Sequence, residues 1–167
     1  MRRPVAITNQ ITITHLAVSV LAITTSTGTS ITCLTMWPAA LFPVQPPLLI
    51  IGWRDAMIQV LLEVPPASRR TFSVFVGAGN HQELNRTRAI LSGLGFPSTP
   101  IITNDFANKK LIANIMATYK IFAVLANVDQ FGQNGDARAP SRVKTAIVEA
   151  AEEIAMPLNR VKFMRGP

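Results

Sequence analysis

Between Arg3 and Arg54 the chain carries no Asp, Glu, Lys or Arg. Fifty residues without a formal charge have no charged face to give to water. They call for cover by lipid, by other protein or by further copies of the same chain. Three explanations compete. Met1-Arg2-Arg3, the apolar run from Leu16 to Ile23 and the small residues after it outline a signal peptide. The leading region is long, however, and is interrupted by Asn9, Gln10, Thr12 and Thr14, while TTSTGTS offers no A-x-A cleavage site. The run is also long enough for two membrane spans of about twenty residues each. Arg2 and Arg3 before it, and Arg54, Arg69 and Arg70 after it, suit a hairpin with both ends cytoplasmic. Against insertion, residues 24–32 (TTSTGTSIT) are almost wholly hydroxylated, and residues 38–47 carry four prolines.

The third explanation is β-structure. Ile11-Thr12-Ile13-Thr14, Val18-Ser19-Val20 and Ile31-Thr32-Cys33-Leu34-Thr35-Met36 alternate, and β-branched residues dominate. Ser26-Thr27-Gly28-Thr29 supplies a turn. An uncharged β-edge invites pairing, so the preferred reading is an arm covered by neighbouring copies. MWPAALFPVQPP (36–47) follows as an extended connector, because its prolines remove donors and fix φ. Leu48 to Val64 is apolar with an ambiguous period, fitting a strand pair or a short helix. Pro65-Pro66-Ala67-Ser68 reads as a boundary.

Beyond that boundary the periodicities sharpen. Thr71 to Val76 alternates as a strand, and Gly77-Ala78-Gly79 breaks it. Asn80, with Glu83 three later, has the form of a capping box for a helix to about Ser92, stopped by Gly93 and Gly95. Pro97 and Pro100 read as an extended link. Ile112, Ile115, Met116, Tyr119, Phe122, Ala123 and Ala126 recur at helical spacing, which implies one long helix capped by Thr103, Asn104 or Asp105. After a polar loop from Gln130 to Pro140, Ser141 caps a last helix ended by Pro157. The expected fold class is mixed α+β. It has an uncharged β-rich N-terminal arm or hairpin (1–66), followed by a compact, basic, α-rich part (67–167) with about three helices.

Charge belongs to that second part. The net charge is +7. Up to Pro66 three basic and two acidic residues give +1, and from Ala67 on thirteen basic and seven acidic give +6. Such a field attracts polyanions. The candidate nucleic-acid contacts are Arg138, Arg142 and Lys144 around a helix start, Arg69 and Arg70, and Arg160, Lys162 and Arg165 in the tail. Aromatic residues make up only 7%, so backbone contact is expected rather than base stacking. The bland alternative is that Asp129 or Asp136 folds back onto Arg138 or Arg142.

Other chemistry is thinly represented. FVGAGNHQEL (75–84) has the strand, glycine turn and helix start that cradle phosphate, which makes Gly77, Gly79 and Asn80 weak phosphate-binding candidates. A dinucleotide signature would place a third glycine where Gln82 stands, and no G-K-[ST] follows. His15 and His81 are the only histidines and Cys33 the only cysteine, so neither a metal site nor a catalytic residue is expected. Adjacent Glu152 and Glu153 diverge on a helix. No cofactor is implied, and enzymatic activity is not favoured.

The expected function is a structural subunit of a large homo-oligomeric or nucleoprotein assembly, coat-protein-like, in a virion or a large cellular assembly. Its partners would be copies of itself through the N-terminal segment, and nucleic acid. A small membrane protein with an N-terminal hydrophobic hairpin is the alternative, and a phosphate- or nucleotide-binding enzyme using Gly77–Asn80 the third. Deleting residues 1–47 should abolish assembly under the first reading. Replacing Arg138, Arg142 and Lys144 by Ala should flatten the salt dependence of nucleic-acid binding by about two to three, at roughly 0.7–0.9 for each phosphate no longer neutralised.

Overall fold

The computed structural model describes residues 46–103, 105–133 and 135–164. The expected β-arm of residues 1–45 lies outside them. The chain divides into two units, Met1–Gln45 with Asp55–Phe72, and Pro46–Arg54 with Ser73–Pro167.

In the first unit, Asp55–Phe72 holds a short helix α1 (Met57–Leu61) and a 3-10 stretch, Pro66–Thr71, entered through Pro65. Pro66 suits that entry, since its fixed φ is compatible with a first turn and its missing N–H is not needed there.

The second unit is an open sheet of five parallel strands: β1 (Leu48–Ile51), β2 (Val74–Gly77), β3 (Ser98–Pro100), β4 (Ala123–Ala126) and β5 (Val161–Phe163). Three helices connect them: α2 (His81–Leu94), α3 (Lys109–Thr118) and α4 (Ala139–Glu153). The strand order is β3-β2-β1-β4-β5, the order of a Rossmann-like α/β domain. This overturns the expected β-arm followed by an α-rich part.

The reason is the burial of a parallel sheet on both faces, which erases alternation. All four residues of β1, LLII, and all four of β4, AVLA, are buried. In sequence β4 passes for the end of an apolar helix, because Phe122, Ala123 and Ala126 continue the stripe of α3. The chain instead leaves α3 at Thr118. Lys120 takes a left-handed φ of 54°, and Ile121 N–H closes back onto Met116 carbonyl at 2.9 Å. Pro100 ends β3 at the sheet edge, where a missing donor is tolerated.

Right-handed crossovers fix the layers. The path runs β1 to β3 in one direction across the sheet and then β4 to β5 in the other, so α2 lies on one face and α3 and α4 on the opposite one. On the α3–α4 face, Leu49, Ile51, Val124 and Ala126 pack with Ile112, Met116, Val143, Ile147 and Ala150, and with Phe75, Val161 and Phe163 at the margin. Leu48, Ile50, Val74, Val76, Ala123 and Leu125 alternate onto the α2 face, and all are buried. Arg88 of α2 ties its helix to β3 by donating to the Ser98 carbonyl at 3.0 Å.

The helix starts differ from the sequence reading in two places. Asn80 caps α2 as expected, its Oδ1 accepting from Glu83 N–H at 2.8 Å. For α3 the cap is Asn108, which accepts from Leu111 N–H at 3.2 Å. For α4 the boundary residue is Arg138, with Pro140 in the first turn, so Ser141 lies inside the helix.

Candidate functional site

In open parallel sheets, strand carboxyl ends and helix amino ends share one edge, and ligands sit in the crevice where strand order reverses. Here that point lies between β1 and β4. The chain's own side chains fill it. Gly52 turns at φ 74°, and a Cβ there would run into the Asn127 carbonyl and lie 3.3 Å from the Phe131 ring. The 3-10 turn Val128–Gly132 carries Gln130 and Phe131 over the strand ends. Gln130 is buried; its Oε1 accepts from Gly79 N–H at 2.9 Å and its Nε2 donates to Glu83 Oε1 at 3.3 Å. Asn127 is also buried. Its Nδ2 donates to the Trp53 carbonyl at 2.9 Å, and its Oδ1 has no partner among the described residues.

The two glycines of the G-x-G turn differ in cause. A Cβ at Gly77 would collide with the Phe106 ring, so this glycine seats a core aromatic. Phe106 in turn stacks obliquely on Phe131, with centroids 5.3 Å apart. A Cβ at Gly79 would meet Gln130 and Phe131 atoms only at 3.6–3.8 Å, an ordinary contact.

Space opens one strand further along. A cleft of about 430 Å³ is lined by Ala78, Gly79, Asn80, His81, Leu84, Ile101, Ile102 and Thr103. It lies where β2 and β3 end and α2 begins. Leu84 and Ile101 are buried, whereas Ile102 is 69% exposed. Asn80 and Thr103 supply polar groups, and His81 is the one basic side chain in the lining. Thr103 Oγ1 accepts from Asp105 N–H at 3.1 Å, which holds the rim. The cap bond uses Glu83 N–H, and Leu84 N–H bonds the Asn80 carbonyl at 3.0 Å. The first-turn N–H groups of His81 and Gln82 have no partner among the described residues. They point out of the helix end, the direction that favours an anion.

The sequence-derived phosphate candidates therefore divide. Gly79 and Asn80 line the cleft, while Gly77 belongs to the core. The basic candidates are dispersed. Around the start of α4, Asp136 folds back. Its Oδ1 accepts from Arg138 N–H at 3.0 Å, and its Oδ2 lies 3.4 Å from Arg142 Nη1. Lys144 sits over the Phe163 ring at 5.3 Å. Arg160 stacks 3.9 Å from the Phe122 ring. Phe122 precedes β4 and Arg160 precedes β5, so Arg160 is at the sheet's amino end, away from Arg138. Lys162 is on the edge strand β5. In the other unit Arg69 donates to the Val64 carbonyl at 2.9 Å, and Arg70 is exposed. Arg165 lies outside the described residues.

Sequence reasoning passes over Ile101, Ile102, Gln130 and the place of His81 in the cleft lining. The first two sit in an apparent proline link, Gln130 in an apparent loop, and His81 reads as an isolated histidine with no second ligand. No group of three or more His, Cys, Asp or Glu that could hold a metal occurs among the described residues, and no described helix is long and apolar enough to cross a membrane. No protein-family model and no curated protein matches the sequence.

Proposed function

We propose that the unit formed by residues 46–54 and 73–164 is a binding domain for a small anionic compound, a phosphate ester or a carboxylate, held at the start of α2. One observation carries the reading: the cleft at the carboxyl edge of the sheet is lined by Asn80 and His81 at the start of α2, a helix end whose first-turn N–H groups of His81 and Gln82 have no partner among the described residues. Three further features support it. The helix dipole adds a partial positive charge at that point. His81 adds a donor beside the N–H groups. The lining mixes apolar and polar side chains in the manner of small-molecule sites. The nearest carboxylate on the helix, Glu83, is engaged by Gln130 and lies 3.8 Å from Arg86 Nη1.

The test is a titration of the whole 167-residue chain with inorganic phosphate, followed by calorimetry and by the rise in unfolding temperature. The reading expects saturable binding that weakens at least about tenfold in His81→Glu, a change that places a carboxylate where the anion would sit. Equal binding by both proteins would contradict it. The readings of self-assembly and of a membrane hairpin depend on residues 1–45, outside the described residues, and the nucleic-acid reading on basic residues that the fold disperses; no described contact favours any of them over this one.

A further inference from the structure

We infer that Glu83 is a two-position side chain at the start of α2, and that Gln130 is the positioning residue that holds it where it stands here, away from the helix end. The inference concerns the free protein and is independent of what the cleft binds.

Asn80, the cap of α2, and Glu83, three residues on, have the form of a capping box. A complete box has two bonds. The cap side chain accepts from the backbone N–H of the third helical residue, and that residue's carboxylate accepts from the N–H of the cap. Here the first is made and the second is not. Asn80 Oδ1 accepts from Glu83 N–H at 2.8 Å, while Asn80 N–H has no partner among the described residues. The Glu83 carboxylate turns instead to Gln130. Its Oε1 accepts from Gln130 Nε2 at 3.3 Å, with Arg86 Nη1 3.8 Å away.

Burial decides between the two positions. Gln130 is buried, and Glu83 is the one partner of its Nε2 among the described residues. A buried donor left without an acceptor bears its full desolvation cost. Asn80 is exposed, so its N–H can turn to water. The carboxylate therefore goes where water does not reach. Gln130 is itself anchored, because its Oε1 accepts from Gly79 N–H at 2.9 Å. Without the Gln130 donor, only the exposed Arg86 guanidinium would keep Glu83 from Asn80, and such pairs contribute little. The helix dipole favours the return. The start of α2 would then be closed by the chain's own carboxylate, as Asp136 closes the start of α4.

The experiment follows two NMR readouts in the ¹⁵N-labelled protein without ligand: hydrogen exchange of the Asn80 amide, and the resonances of the Gln130 side-chain amide. In Glu83→Ala the Gln130 resonances should move, while Asn80 exchange stays within about twofold of the unaltered protein. Gln130→Met keeps the bulk of the buried side chain and removes its donor. There Asn80 exchange should slow by at least about tenfold, the mark of a new hydrogen bond, and adding Glu83→Ala should restore it. Unmoved Gln130 resonances, or a larger change of Asn80 exchange in Glu83→Ala, would overturn the position assigned to Glu83, and this arm leaves the buried residue untouched. Unaltered Asn80 exchange in Gln130→Met would overturn the role assigned to Gln130.

Discussion

Two helix starts in the same domain face the same edge of the sheet and meet opposite fates. At α4 the chain supplies its own anion: Asp136 takes the Arg138 N–H and the Arg142 guanidinium. At α2 the one first-turn carboxylate, Glu83, is turned to Gln130 and Arg86 instead. Asn80 caps one N–H, two are left, and a cleft opens in front of them. The start of α3 is intermediate, with Asn108 as its cap and Lys109 4.0 Å from Glu153 of α4. Because a helix start attracts negative charge wherever it occurs, the difference lies in what the chain has already placed there. The basic cluster that draws attention in the sequence is the one the fold has partly neutralised. The end bearing a single histidine is the one left open.

The comparison can be broken most forcefully at the glycines. Gly77→Ala should cost about 1–3 kcal/mol, since Phe106 must move in a filled core; Gly79→Ala should stay within about 0.5 kcal/mol, as ordinary surface changes do. Urea unfolding of both variants checks this, and equal losses would mean that the strand ends are not filled as described. Next in size is His81→Glu. It should lose phosphate affinity by about tenfold, or 1.4 kcal/mol, with stability held or raised by a few tenths because the added carboxylate suits the dipole. A smaller effect is expected from Asp136→Asn, which vacates the start of α4. The exposed pair it breaks contributes at most about 1 kcal/mol, and the variant should gain a weak second phosphate response at Arg138 and Arg142. If Asp136→Asn gains none, the chain's own carboxylate is not what separates the two helix starts.

Legibility in the sequence followed the local chemistry of each element. The end of α2 could be read because Gly95 sits at φ 97° while Phe96 N–H closes onto Leu91 at 2.9 Å. At the end of α3 the same closure is made by Lys120, and at the end of α4 by Ala155 at φ 59°. Neither residue signals a stop, so β4 merges into its helix and local pattern hides the parallel sheet. Lys120→Gly should therefore stabilise the domain by up to about 1 kcal/mol, the cost of a left-handed non-glycine residue, as read from the shift in urea midpoint. The site was half legible. Gly79 and Asn80 stood out as a turn and a cap, but Ile101, Ile102 and Thr103 reach the cleft only through the pairing of β2 with β3, which no local pattern encodes.

The most direct test of the central claim is amide NMR of the ¹⁵N-labelled protein during titration with inorganic phosphate. An open, anion-binding start of α2 predicts that the His81 and Gln82 amides move first and furthest, with Ile101–Thr103 following and Arg138–Arg142 still. Shifts centred on Arg138–Arg142, or no shift of His81 and Gln82 at millimolar phosphate, would contradict it.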